Sequence, residues 1–563
     1  MKEAPMFQAS LDPVAGNLAL SAAVACVPLV AFFVLLAVCK LKAHVSAAIA
    51  LAISFLVAVF AFGMPAPLAA LSATQGAAYG AFPIVFIIIL AVWFYEVTVL
   101  SGRFADLRRF FDIVGGGDVR IQAVLIAFCF GGLLEALAGF GAPIAITATM
   151  VLALGIRPLR AALAVLIANT APVAYGAVAT PITMAGNMVS GGDAAVASAT
   201  SQHVAAIVGV QAPLFAAVVP LLVCAVLDGK HGVRDCWPPA LVCGMSFAVV
   251  QWWCSNNFAY ELTDVMATLA SLGITIAFMR VWKPRGVEQS RARFGLPESS
   301  AADDAQLTPV RAWMALLPYA VVIAVFAVGK LAIPGVLSGF DIKIPWPGLA
   351  GNVLTAVGAN PGTTYTLPLL SNPGSMLLVA GIIVAAIYAV FNGGGEFKMG
   401  MGQAARALVD TAWKMRTSCL TIVLVLALAY VMNFSGMTMC IGELLAETGV
   451  LFALLSPVLG WVGTAVTGSD TSANALFSSL QHSVAQANPA LAGASPDLFL
   501  AANTMGGVVG KMISPQSLAI AALATGEHES TLFRKILPWS LAFLAVLCAL
   551  VFLQSGVLAA MVP

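Results

Sequence analysis

Two short stretches hold the only Asn-Thr pairs in the chain: Ala168–Pro181, read ANTAPVAYGAVATP, and Ala502–Pro515, read ANTMGGVVGKMISP. Gly176 and Gly510 follow the Asn at one shared offset, and Pro181 and Pro515 at another. Each stretch lies inside an apolar run, where amides and helix breakers are costly unless they line a cavity or are buried in protein. An Asn side chain offers an acceptor and two donors, and a Thr hydroxyl works both ways, which suits a small hydroxycarboxylate. Asn169, Thr170, Asn503 and Thr504 are therefore expected to line a substrate site. The alternative is interhelical hydrogen bonding, worth about 0.6 kcal/mol per bond in membranes.

Three charged residues share these apolar surroundings. Glu135 sits in FGGLLEALAGFGAPIAI among Gly131, Gly132, Gly139, Gly141 and Pro143. A carboxylate in the bilayer is costly unless paired, hydrated or protonated, so Glu135 is a candidate proton-coupling acid. A helix cap or a surface position are its other readings. Asp470 lies in GSDTSAN, where Ser469, Asp470 or Thr471 can start a helix whose free N–H groups face a cavity and attract a carboxylate. Ser469 and Thr471 are read as substrate-binding. Asp470 opposes an anion unless it is protonated or paired, which makes it a second coupling candidate or a plain N-cap. Lys511 stands where the first copy has Ala177. It can neutralise a substrate carboxylate, pair with Asp470, or snorkel from a span end.

The elements that hold these residues must be membrane helices. The 563 residues are 61% hydrophobic and 9% charged, against about 25% charged in soluble domains. Apolar runs of about 20 residues, the length of a crossing, recur at 17–39, 45–63, 81–100, 158–181, 203–227, 237–255, 261–280, 311–331, 375–391, 417–434, 498–522 and 531–557. Gly-broken regions fall at 120–154 and 450–485. Loop cations such as Lys40, Arg157, Lys230, Lys283 and Arg534 can all lie on one side. The expected fold is an all-α polytopic membrane protein with about 12 transmembrane helices, two broken or re-entrant regions and both termini outside. In that topology the two Asn-Thr spans run in opposite directions. The expected organisation is a first inverted repeat over 1–230, connector helices and a cytoplasmic loop over 231–310, and a second inverted repeat over 311–563, the layout of an alternating-access carrier.

Composition also excludes function classes. The net charge of +1 gives no general attraction to nucleic acid. The ten Cys include no C-x-x-C, no G-x-x-x-x-G-K-[ST] phosphate loop occurs, and no cofactor or enzyme site is read. MKEAPMFQASLD lacks a basic region and a cleavage site, so no removable signal is expected.

FCFGGLLEALAGFGAPIAIT (128–147), ANTAPVAYGA (168–177), GWVGTAVTGSDTSANALF (460–477) and AANTMGGVVGKMISPQSLAIA (501–521), with LDPVAGN near the N-terminus, resemble the bacterial lactate permease family. The resemblance implies uptake of L-lactate, D-lactate and glycolate with protons at the cell inner membrane. A sodium-coupled carboxylate or dicarboxylate carrier, and an anion channel, are the alternatives. Segment 332–373 fits the family pattern poorly.

Overall fold

A computed structural model of the chain describes residues 6–35, 39, 41–103, 106, 118–137, 142–296, 308–355, 358–392, 397 and 399–563. The expected break at Gly139 and Gly141 lies outside them. Among the described residues, 10 helical runs are long and apolar enough to cross a membrane, or up to 11 with the pair Met437–Ala446 and Gly449–Ala465, bent by 116°. One run, Ala194–Asn257, has 64 residues, about three times the length a crossing needs, so crossings outnumber runs.

The first half contains α1 (Leu18–Phe33), α2 (Ala43–Phe60), α3 (Ala66–Tyr79), α4 (Phe86–Leu100), α5 (Val119–Leu137), α6 (Ala142–Ala153), α7 (Pro158–Ala168), α8 (Gly176–Val189) and α9 (Ala194–Ala216). The span expected over 203–227 therefore begins earlier, is kinked by a turn at Ala217 and Val218, and runs on to a bend at Asp228 and Gly229. Next come α10 (Val219–Asn257), bent at Asp228 and Gly229, and α11 (Thr263–Val281). The second half contains α12 (Pro309–Ala327), α13 (Pro373–Val390), α14 (Met401–Phe434), α15 (Met437–Ala446), α16 (Phe452–Thr467), α17 (Asp470–Ala487), α18 (Pro496–Lys511), α19 (Pro515–Thr525) and α20 (Glu529–Gln554).

Helix α14 packs against α2, α3 and α4, with α12 and α13 beside them. A second bundle gathers α5 to α11 with α16 to α20, and α8 lies along α17. The tightest seam is α16 on α18. Lipid gives helices no hydrophobic reason to associate, so close backbone approach must supply the contact. Gly506 and Gly510 provide it: a Cβ on Gly506 would stand 2.0 Å from the Pro457 carbonyl oxygen.

At the cation-rich end, the buried Arg120 guanidinium binds Asp118 at 2.8 Å and Asp228 and Asp235 at 3.1 Å each, and Arg293 also holds Asp228. This network ties the start of α5 to the bend in α10. The described residues of segment 332–373 fold at the other end. There β1 (Phe7–Gln8) runs parallel to β3 (Val353–Thr355), which pairs with β4 (Gly358–Ala359). Strand β2 (Ile342–Pro345) pairs antiparallel with β5 (Thr364–Leu367), Ile342 opposite Leu367. The Tyr365 hydroxyl donates to the Phe82 carbonyl at 2.8 Å, fastening this cap to the α3–α4 connection.

Candidate functional site

The two Asn-Thr copies adopt different backbones. In the first, Pro172 has no N–H for the Ala168 carbonyl and its ring clashes with it, so α7 ends at Ala168 and Asn169 is its C-cap. Turns carry the chain to Gly176, after which Ala177, Val178 and Ala179 take left-handed φ values of 44°, 58° and 55°. Left-handed turns of L-residues cost roughly 1–2 kcal/mol per residue, and such strain concentrates at functional sites. In the second copy Gly506 replaces the proline, and α18 stays helical through Lys511. Ser514, in extended conformation before Pro515, caps α19 by accepting from Ser517 N.

Charge joins the second copy to the first Gly-broken region. Lys511 Nζ donates to Glu135 Oε1, joining α18 to α5. Glu135 is 1% exposed and its Oε2 accepts no hydrogen bond among the described residues. Asp470 is also buried, at the start of α17. Among the described residues neither of its carboxylate oxygens accepts a hydrogen bond of good geometry, although the Thr464 hydroxyl lies beside them. Glycines make room for both acids. A Cβ on Gly507 would stand 1.9 Å from Asp470 Oδ1, and one on Gly176 would stand 3.0 Å from Glu135 Oε1.

Glu135, Gly176, Pro181, Ser469, Asp470, Thr471 and Lys511 line a cavity of about 30 Å³. That volume admits about one or two waters, and a hydroxycarboxylate needs the walls to move apart. Ser469 Oγ accepts from Ser472 N at 3.2 Å, so the first N–H groups of the 18-residue α17 begin at this cavity and add partial positive charge.

The structure thus brings Glu135, Ser469, Asp470, Thr471 and Lys511 to one cavity. Lys511 is buried, not snorkelling, and its ion-pair partner is Glu135 rather than Asp470. Asn169 and Thr170 lie one step away, in a closed crevice shared with Val508, Lys511 and Ser517. The Thr170 hydroxyl donates to the Ile167 carbonyl at 2.7 Å. Asn503 and Thr504 are spent elsewhere. Asn503 Nδ2 and Thr504 Oγ1 donate to Asn474 Oδ1 at 2.9 and 3.1 Å, and Gln481 Nε2 donates to Asn503 Oδ1 at 3.1 Å. Asn474 Nδ2 continues to the Pro181 carbonyl at 3.2 Å, linking this network to the first copy.

Sequence reasoning missed Asn474 and Gln481, whose signal was a polar stripe in the apolar run after Asp470. It also missed Asp264, an acid at the head of the run 261–280 and legible by the rule that marked Glu135. A larger cavity of about 560 Å³ lies between the cap segment and the bundle, lined by Thr183, Ser201, Tyr260, Glu261, Asp341 and Thr366 among others. No metal-holding group of His, Cys, Asp and Glu occurs among the described residues.

The L-lactate permease family profile matches residues 21–558. The glycolate permease GlcA of Escherichia coli (strain K12) is 41% identical over 97% of this chain and 98% of that protein. The L-lactate permease of Bacillus subtilis (strain 168) is 39% identical over 98% of this chain and 99% of that protein. The solved YdaH transporter of Alcanivorax borkumensis aligns over 79% of this chain and 86% of that one at 16% identity with a TM-score of 0.32, too low to bear on the fold.

Proposed function

The chain belongs to the L-lactate permease family, and from that premise we propose that it carries lactate and glycolate inward across the bacterial inner membrane together with a proton. The observation that carries the proton-coupled reading is the buried Lys511–Glu135 pair beside the small cavity. The cavity holds two acids against one cation, so an added carboxylate requires at least one of them to be neutral. Protonation of Glu135 breaks its pair with Lys511 and frees the ammonium for the substrate carboxylate. The start of α17 adds its N–H groups, and Ser469 and Thr471 offer hydroxyls to the 2-hydroxyl. Asn169 and Thr170 take the substrate over on the far side of Lys511, while Asn503 and Thr504 keep α17 and α18 in register.

In the orientation expected from the loop cations, the large cavity faces outside and the closed crevice inside. Substrate therefore arrives from the outer vestibule, and the inner crevice opens as the bundle carrying α8 and α18 shifts. Two inverted halves, 1–230 and 311–563, provide the two mirror-related arrangements this requires. One proton per monoanion makes transport electroneutral, driven by the pH gradient at about 1.4 kcal/mol per unit.

The test is uptake of labelled L-lactate into proteoliposomes under separately imposed pH, sodium and voltage gradients. An inward proton gradient drives accumulation, and sodium and voltage do not. Accumulation driven by sodium, or current without proton movement, replaces this reading with a sodium-coupled carrier or a channel.

A further inference from the structure

Glu135 is enclosed, so a proton must reach it from one of the two aqueous sides. One wall of the outer vestibule is polar. The Tyr260 and Thr183 hydroxyls are 3.0 Å apart there, and Thr183 is two positions beyond Pro181 of the small cavity. Tyr260, Glu261 and Leu262 form one turn that leads into α11, and Glu261 lines the vestibule. One helical step deeper stands Asp264, 1% exposed. Its Oδ1 accepts from Gln251 Nε2 at 2.9 Å, and the same nitrogen donates to the Ala171 carbonyl in the break of the first Asn-Thr copy at 3.2 Å. Its Oδ2 accepts no hydrogen bond among the described residues.

Asp264 and Thr268 share one face of α11, as Gly132 and Glu135 share one face of α5. These faces meet: a Cβ on Gly132 would stand 2.6 Å from Thr268 Cγ2. Across this seam Asp264 and Glu135 lie near enough to feel each other's charge. Among the described residues, Tyr175 from the first break and Cys254 from α10 also sense Asp264, and Glu261 precedes it by three positions on its own segment.

We infer that Asp264 is a second proton-binding site, relaying protons from the Glu261–Tyr260 wall of the outer vestibule to Glu135. The inference rests on the proton-coupled reading above. A proton from vestibule water adds to the Asp264 carboxylate. It then passes to Glu135 Oε2, restoring the Asp264 carboxylate and releasing Lys511.

The test compares Asp264→Asn with wild type in proteoliposomes, in two modes: net lactate uptake driven by a pH gradient, and lactate counterflow at equal pH. Counterflow exchanges substrate without net proton passage. The relay predicts that net uptake falls roughly tenfold or more in Asp264→Asn. It also predicts counterflow within about twofold of wild type, and recovery of net uptake in Asp264→Glu. Wild-type net uptake in Asp264→Asn overturns the relay and leaves coupling at Glu135 standing. Loss of both modes in both variants assigns Asp264 to packing and also overturns it. A wild-type protein indifferent to the pH gradient removes the coupling itself, and the relay with it.

Discussion

The two Asn-Thr segments share Asn, Thr, Gly and Pro at matched positions, yet one breaks into a strained turn right after its Asn and the other stays helical through Lys511. The difference follows from one position. Pro172 in the first copy removes a backbone donor and clashes with the preceding turn, whereas Gly506 in the second lets the helix run on and pack against Pro457. The first copy therefore supplies irregular backbone around Glu135. The second supplies a rigid rod that holds Lys511 in place and spends its amide on Asn474 and Gln481. Matched spacing marks where two halves meet, but it does not make their side chains interchangeable.

Substitutions can break or sharpen this contrast. The largest effect is expected from Lys511→Ala, which strands a buried Glu135; loss of one partner of a buried pair costs about 3–5 kcal/mol. Thermal unfolding of the purified protein should show the loss, lactate uptake should collapse, and adding Glu135→Gln should recover stability without recovering uptake. Unchanged uptake in Lys511→Ala would return the lysine to a packing role. Next come the glycines. Gly507→Ala forces a methyl onto Asp470 and should cost about 1–3 kcal/mol, as overpacking does. Gly176→Ala meets Glu135 at a looser 3.0 Å and should cost less. The reverse ranking in denaturation midpoints would contradict the rigid-rod picture of the second copy.

The asparagines should split by kind of effect. Asn503→Ala leaves Asn474 and Gln481 short of a partner and should lower stability by about 1–3 kcal/mol. Asn169→Ala should cost less stability than Asn503→Ala while raising the KM for lactate. Equal stability losses, or a KM effect confined to Asn503→Ala, would erase the distinction between the copies.

Much of this was legible in sequence because the bilayer makes polar residues conspicuous. The helical class followed from the length and composition of the apolar runs, and Glu135, Asp470 and Lys511 stood out as charges with no water to face. Their pairing was not legible. Lys511 and Glu135 are 376 positions apart, and nothing in either stretch distinguishes Glu135 from Asp470 as the partner. Asn503 looked identical to Asn169 because the groups that satisfy it lie on α17, a separate helix. The cap formed by 332–373 was opaque because its short strands take their partners from the N-terminal Phe7–Gln8 and from within the segment, with no periodic pattern to announce them.

The central claim is that the proton on Glu135 frees Lys511 for the substrate. Its most direct test is the count of protons taken up when lactate binds to purified protein in weakly buffered detergent solution, read with a pH indicator dye. Wild type should take up about one proton per lactate bound, the stoichiometry of an electroneutral carrier of a monoanion, and Glu135→Gln should bind lactate with no proton uptake. The same proton uptake in Glu135→Gln as in wild type would contradict the account.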